Sequence, residues 1–426
     1  MTTPAAELPT NVRELWRFLR QQPSSFWLIN VYLFVEYVRP QSIWPALDVL
    51  PWGLLIVLLT LGALLLEGTP PKLRTAAGPV LVIYSIVVIL SSFTAIYPAV
   101  SFAQWELYFS WVLIYVLITN TVTTEKRFFV FMLAFLLYSF KMSQHGFRSW
   151  AASGFAFRNW GVTGAPGWFH NSGEFGIQMC IFLPLSVEFF LGTRQYWNRW
   201  IRWLLLAFPV TAVGSIVASS SRGALVGAGL VGCWWVARSK RRVRTIIAMV
   251  LLGAITWAVV PPEQKARFTT AGEDRTSTTR IERWEAGLKM ANERPVFGIG
   301  YANWAAYYGP LSHNIFVEAL AELGYTGLLA FLALITVTFV LNARTRKLAR
   351  RLRSPFMMHA AYGLDGALIG FIGSGFFVTV LYYPYFWINL AMTVSLQIAA
   401  QHAHRRARAV GLPLGRTHRQ PSPGIT

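Results

Sequence analysis

His313 is the residue in this chain best suited to proton transfer, because imidazole alone among side chains titrates near neutrality. It stands within the run Ser312-His313-Asn314, followed by Glu318, Glu322 and Gly324 at the mouth of a long apolar stretch. Arg280 and Trp284 precede it, four residues apart and so on one helical face. Further back, Ser219-Ser-Ser-Arg222-Gly223 joins two apolar runs with almost no loop. Serines there can cap a helix whose N-terminus favours an anion, and the planar guanidinium of Arg222 suits phosphate oxygens. Each residue also has a plain structural reading. His313 is equally a capping or interface histidine, and Arg222 and Arg280 are equally arginines reaching lipid phosphate.

Asn314, Glu318 and Glu322 recur at i, i+4 and i+8, on a face turned away from His313. They are expected to pack against other helices or to hold arginines. A second polar cluster is the run Gly164-Ala-Pro-Gly-Trp-Phe-His170-Asn171-Ser-Gly-Glu174, rich in glycine and aromatic residues. It suits a sugar platform, a lid or a re-entrant connection. Lys141, His145 and Arg148 nearby are either acceptor contacts or interface anchors. Pro295-Val-Phe-Gly-Ile-Gly300 reads as a turn-rich link. The spacing Thr279-x-x-Glu282 predicts a capping box for a helix ending before Pro295. Ile281, Trp284 and Leu288 would lay that helix in the membrane interface, with Trp284 as its anchor.

The elements that must position these groups are helices in lipid. The chain is 54% hydrophobic, 15% aromatic and only 13% charged, with 18 Trp, a composition of membrane helices rather than of a water-soluble core. Apolar runs predict about twelve spans, near 26–38, 50–66, 78–96, 102–119, 127–140, 173–191, 203–218, 223–237, 245–260, 313–341, 358–380 and 382–401. The first is short and holds Glu36. The run 313–341 is long enough to tilt or to begin outside the hydrocarbon. The expected class is therefore an all-α, polytopic integral membrane protein with a helical loop on one face.

Lys and Arg concentrate in one alternating set of connections, above all 238–244, 344–353 and the tail after 402. The positive-inside rule assigns that set to the cytoplasm, with both termini, and sends loops 141–172, 219–222 and 261–312 outward. The expected organisation is a cytoplasmic segment 1–25, a membrane domain 26–401 and a basic tail 402–426. Arg13, Arg17 and Arg20 with Glu7 and Glu14 precede the first run, so the spans are expected to insert without a cleaved signal. The net charge of +20 sits in short loops and a tail, where orientation and anionic lipid account for it; a nucleic-acid partner is not expected. Cys180 and Cys233 fall in apolar runs and read as small hydrophobes.

In order, Ser-Arg222-Gly, Arg280-x-x-x-Trp284, Pro295-x-x-Gly-x-Gly300, His313-Asn314 with Glu318, and Glu322-x-Gly324-x-x-Gly327 resemble the O-antigen ligase and polymerase superfamily. Phe34-x-x-Tyr-x-x-Pro40-Gln41 and the 164–185 region look more like the O-glycosylation ligases found beside exosortase systems. There the chain departs from pattern, with Phe-His-Asn-Ser where an Asp-Asn pair is expected. The resemblance implies a glycosyltransferase of the bacterial inner membrane, with its site on the periplasmic face. It implies a donor glycan on undecaprenyl pyrophosphate, as in lipopolysaccharide synthesis, and an acceptor hydroxyl on a lipid, saccharide or protein. It assigns Arg222 and Arg280 to the pyrophosphate and His313 to the acceptor, in an inverting reaction. His170, Asn171, Trp284 and Asn314 are candidate sugar or acceptor contacts. No metal or other cofactor is expected where two guanidinium groups supply the charge. The rival readings are a lipid-linked glycan polymerase, a protein O-oligosaccharyltransferase and a bicarbonate-type transporter. The transporter reading expects buried charge or broken helices at mid-membrane, and most spans show no charge at their centres.

Overall fold

Hydrocarbon offers a backbone amide no partner, so a chain this apolar must close its hydrogen bonds within helices. The computed structural model describes residues 8–73, 75–156, 161–259, 262, 265 and 275–411, and no strand occurs among them. A short amphipathic helix, α1 (Val12–Arg20), precedes α2 (Ser24–Val38), α3 (Trp52–Leu66), α4 (Ala77–Phe93) and α5 (Trp105–Thr121). Then come α6 (Glu125–Ala152), α7 (Ser172–Thr193), α8 (Arg199–Ala218), α9 (Arg222–Arg238) and α10 (Arg242–Val259). The last four are α11 (Arg275–Glu293), α12 (Ile315–Leu352), α13 (Pro355–Gly375) and α14 (Pro384–Ala409). Every predicted apolar run falls on one of these helices. Among the described residues, 6 helices are long and apolar enough to cross a membrane, and α3 and α4 are shorter apolar helices. The chain is thus a polytopic, all-helical membrane protein.

Two helices form the centre. α7 is buried over most of its length and α14 without interruption from Pro384 to Ala400, as expected of helices apolar all round. α13 lies against α7 and α9 through small residues that let backbones approach. A Cβ on Gly370 would stand 2.6 Å from the Cys180 carbonyl oxygen, and one on Gly227 would stand 2.8 Å from the Gly370 carbonyl oxygen. Cys180 is buried in this seam, while Cys233 is exposed.

Contacts between connections sort the bundle into two ends. At one, the Asn120 amide donates to the Lys72 carbonyl (3.0 Å), Ser354 donates to Glu125 (2.5 Å), and Arg238 and His359 share Glu188 (2.5 and 2.7 Å). At the other, Ile96 N donates to Ile299 O and Val162 N to Ala218 O, both at 2.8 Å. Trp111 Nε1 donates to Tyr382 O there, also at 2.8 Å. Successive apolar helices alternate between these ends. Asp365 corrects one expectation. It sits midway along α13, 1% exposed, and pairs with Arg346 and the Asn342 amide, so charge is buried inside this bundle.

α12 is broken. Gly324 has φ 69° and ψ −171°, a conformation open essentially only to glycine, and the helix resumes beyond it. A break in an apolar environment leaves carbonyls without partners unless other backbone supplies them. The Pro295–Gly300 link does so. Ile299 N donates to Ala321 O (2.9 Å), Gly300 N to Glu322 O (3.1 Å), and Tyr325 N to Pro295 O (2.8 Å). Ser91 Oγ, from α4, reaches both Phe297 O (2.8 Å) and Glu322 O (2.9 Å). The two motifs therefore dock onto one another: the link is the splint of the broken helix.

A Cβ at position 324 would lie 2.5 Å from Val296 O and 2.6 Å from Pro295 O. Gly324→Ala is therefore expected to destabilise the protein by about 2 kcal/mol or more, since strained backbone alone costs about 1–3 kcal/mol. Purified variant and parent should differ in melting temperature, and the 294–301 link of the variant should become susceptible to protease. Equal melting and equal protection would show that the splint is not under this constraint.

Candidate active site

α11 begins at Arg275, a turn before the expected cap at Thr279, and ends at Glu293 before Pro295. The polar stretch before it, with Pro261, Glu273 and Asp274, lies outside the described residues. The stripe expected to lie in the membrane interface stays largely off the protein at two of its three positions. Ile281 and Leu288 are about half exposed, whereas Met290, Ala291 and Gly287 are buried. A small satellite core of Met290, Ile299, Trp304 and Ala321, flanked by Val317 and Ile96, holds α11 to the start of α12. Trp284 is anchored to protein. Its ring meets Phe376 edge-on at 5.8 Å, and its Nε1 donates to Ser312 O at 3.2 Å.

These contacts converge on the turn that carries His313. Arg283 Nη1 donates to Leu311 O (3.1 Å), so consecutive residues of α11 grip consecutive carbonyls just before the histidine. From the other side, Thr379 Oγ1 accepts the His313 backbone N–H at 2.8 Å. His313 has φ 51°, a left-handed conformation that a non-glycine residue holds only where surroundings enforce it. Asn314 is the N-cap of α12: its Oδ1 accepts from Phe316 N (2.9 Å) and Val317 N (3.2 Å), and the residue is 2% exposed. The structure gives its oxygen to the helix end.

Glu322 serves the same scaffold. Its carboxylate accepts from Trp304 N (2.8 Å), Ala302 N (3.0 Å) and the Tyr382 hydroxyl (2.8 Å). Glu318 is 6% exposed beneath the same segment and accepts from the Leu381 backbone. Of the two expectations for this face, packing against other elements or holding arginines, the contacts among the described residues fit the first, with backbone and tyrosine as the partners.

Arg280 sits one turn before Trp284 on the same helix. Burial is the main influence on His313, and the charges of Arg280 and Arg283 add to it; together they hold its imidazole down at about 4. His313 is therefore neutral over the physiological range, with a lone pair to accept a proton. Arg222 lies at the first residue of α9, half-buried, after Ser220 in a left-handed turn (φ 51°) and Ser221, which caps Ala224 N at 3.3 Å.

The segment 376–383, between α13 and α14, links these pieces. A Cβ on Gly223 would lie 2.8 Å from Phe377 Cβ, and one on Gly173 would lie 3.3 to 4.0 Å from Asn171 Oδ1, Val378 Cγ2 and Ser221 Oγ. One stretch thus touches the N-termini of α7 and α9 through Phe377 and Val378, and the His313 turn through Thr379. The predicted spans 358–380 and 382–401 left this segment no length. In the structure α13 stops at Gly375 and α14 restarts with Pro384 at its first position. Thr379 and Phe376 were hidden inside an apolar run, and that proline was the available signal.

His170 and Asn171 are exposed at the start of α7. Asn171 and Glu174 form a reciprocal capping box, and His170 Nδ1 contacts Gly167 O (2.6 Å) and Glu174 (3.3 Å). They share the end of the bundle that holds His313, and no recorded contact joins them to it. Lys141 Nζ reaches Val38 O of α2 at 3.4 Å, and Arg148 pairs with Gln144 on its own helix.

No curated protein matches this chain. Residues 17–191 match a family of unknown function (DUF5935), which takes in His170 and Asn171. Residues 206–332 match the O-antigen ligase family, and that stretch holds Arg222, Arg280, Trp284, His313, Glu322 and Gly324 together. This segment is thus similar to the O-antigen ligase domain, which supports placing the chain in that superfamily.

Proposed function

We propose that the protein transfers a glycan from a polyprenyl pyrophosphate carrier, undecaprenyl by resemblance, to a hydroxyl group of an acceptor. In this reading the acceptor oxygen attacks the anomeric carbon from the face opposite the pyrophosphate, its proton passes to His313, and the carbon–oxygen bond to the carrier breaks. The electron pair leaves with the pyrophosphate, whose growing charge Arg222 and Arg280 stabilise, so no metal is required for that task. The configuration at the anomeric carbon inverts. The observation that carries the reading is the clamped His313 turn, whose imidazole is kept neutral by burial and by the charges of Arg280 and Arg283.

The same electrostatics order the reaction. An imidazole held near 4 is a feeble base. A bound pyrophosphate would offset the charges of Arg280 and Arg283 and raise the proton affinity of His313. The base would gain strength only once the donor is in place, and would otherwise not activate water to hydrolyse it.

Sidedness follows from charge. The end of the bundle holding His313 carries the less basic connections, which the positive-inside rule turns outward, to the periplasm of an inner-membrane protein. A transporter would also use a broken helix. Here the carbonyls freed at Ala321 and Glu322 are taken by Ile299 and Gly300, so they are not offered to an ion. A polymerase or a protein O-oligosaccharyltransferase would share the donor chemistry and differ only in acceptor.

Arg280→Ala and His313→Ala are each expected to lower transfer in a reconstituted membrane assay by about a hundredfold or more while expression and melting stay near parental levels. Normal transfer by either protein would remove that residue from the site. Thr379→Val should cost about tenfold in turnover with little change in stability, because it loosens the His313 turn without touching the imidazole. Unaltered turnover would make that hydrogen bond incidental.

Titration of His313, followed by its ring proton resonances, should move upward from about 4 in Arg283→Ala. It should stop short of the ordinary value, since burial is the larger cause. As a check of sign, the unfolded chain takes up this proton first as pH falls below the ordinary range. His313 thus subtracts stability between there and about pH 4, and Arg283→Ala should lessen that loss. An unmoved titration would show that the arginine charge does not reach the imidazole.

A further inference from the structure

A cavity of about 350 Å³ lies at the end of the bundle away from His313, between α7, α9 and α10. On α10 its lining residues are Thr245, Ala248, Met249 and Leu252, spaced i, i+3, i+4 and i+7 and so on one helical face. From Thr245 to Leu252 the helix rises about 10 Å. The cavity is therefore polar at the α9–α10 turn, where Ser239 joins the lining, and apolar further in. α10 touches α9 through Met249, whose Cε would lie 2.3 Å from a Cβ on Gly232. Its other faces are open: Val243, Ile247, Val250, Leu251 and Ile255 are all more than half exposed. The cavity is thus the space behind a helix that is itself bathed in lipid.

The balance of charge decides what this space can hold. Glu188 is the carboxylate in the lining, and it is already matched. Arg238 and His359 pair with it at 2.5 and 2.7 Å, and Trp235 Nε1 donates to it at 3.3 Å. Asp365 is held by Arg346, and both arginines lie over the Tyr362 ring, at 3.8 and 4.8 Å. Two buried carboxylates are thus set against two guanidinium groups. What remains is basic. Lys240, Arg241, Arg242 and Arg244 fill the turn between Ser239 and Thr245, all exposed. Among the described residues no hydrogen bond or ion pair engages their side chains, and the chain holds no Asp or Glu between Glu188 and Glu263. Ser239 Oγ accepts from Arg241 N (3.1 Å) and Thr245 Oγ1 (2.8 Å). Both of its lone pairs are used, and the hydroxyl keeps its proton to donate. An ammonium head would add one more cation to this turn, whereas a phosphodiester without one brings the missing negative charge.

We propose that this cavity is a binding site for one anionic glycerophospholipid. Its phosphate meets the 239–245 turn, where Ser239 donates to it and the four basic side chains surround it. An acyl chain lies along Ala248, Met249 and Leu252, beside Trp235. The positive-inside rule turns this connection to the cytoplasmic leaflet. The site shares no residue with the chemistry proposed at His313. Its lipid fastens to the bundle a helix whose outer faces meet only the bilayer.

The test uses the full-length protein in phosphatidylcholine nanodiscs carrying a trace of phosphatidylglycerol or phosphatidylcholine, each with the same photoreactive acyl chain. Labelled peptides are mapped by mass spectrometry in the parent and in three variants. Ala248→Phe fills the cavity, and Arg241→Gln/Arg242→Gln removes charge from its mouth. Arg405→Gln/Arg406→Gln removes equal charge from the exposed end of α14. The phosphatidylglycerol probe is expected to label residues 234–252 about tenfold more than its zwitterionic counterpart. Its labelling should fall about tenfold in the first two variants and hold in the third. Equal labelling by the two probes would mean that ordinary bilayer lipid fills a surface crevice, and would overturn the proposal. So would labelling that survives in either of the first two variants, or that falls as far in the third, since attraction to a basic surface would then suffice. Inorganic phosphate added at constant ionic strength is expected to leave the labelling in place. Displacement of the probe by phosphate would mean a free-phosphate site and would overturn the lipid assignment. The first two variants act on different parts of the site, so misfolding of one protein leaves the other to decide.

Discussion

A helix that breaks inside an apolar bundle must find partners for the carbonyls it frees, and much of this active end follows from that requirement. Gly324 makes the break, and the backbone that repairs it is the link that follows α11. Once Ile299 and Gly300 donate to Ala321 and Glu322, α11 is fixed against the first turns of α12. That fixes Arg283 and Trp284 over Leu311 and Ser312, and hence the backbone of His313. Glu322 reinforces the same geometry from within, tying the 301–304 turn and Tyr382 to the broken helix with one carboxylate. Residues that look catalytic by type thus do the work of a scaffold, and the histidine inherits its position from them.

The electrostatic arrangement is a consequence of that position. Guanidinium groups brought next to an imidazole disfavour its protonation, and burial disfavours it more. An enzyme that must keep an activated donor from water gains from a base that is weak until an anion arrives. Among the described residues the His313 turn is arranged by backbone hydrogen bonds, and the charges that act on its imidazole are those of Arg280 and Arg283.

The sequence showed the helices clearly because each must be apolar over its length, and every predicted run has a helix. It showed Arg222, Arg280 and His313 because polar groups beside such runs are conspicuous. Periodicity gave the face of Glu318 and Glu322 but not their partners, since backbone amides brought in from Ala302 and Trp304 leave no pattern in sequence. Thr279 misled for a related reason: a capping spacing marks a helix start only where the chain before it is not already helical, and α11 begins at Arg275. Thr379 was invisible because Phe376-Phe-Val-Thr-Val-Leu is as apolar as any span, although it is the segment that joins the pieces. Asp365 is an exception among spans with mostly uncharged centres, and its pairing with Arg346 of another helix is what the sequence could not show.

The same end of the bundle depends on segment 376–383 for its cohesion. The arginines stand on α9 and α11, on one flank of the segment, and Trp111 and Trp168 stand on the other, their rings 5.6 Å apart. Between them run Thr379, Tyr382 and Tyr383, touching the His313 turn on one side and the tryptophans on the other. The segment that joins these elements is also the one that holds the His313 turn, through the Thr379 hydroxyl.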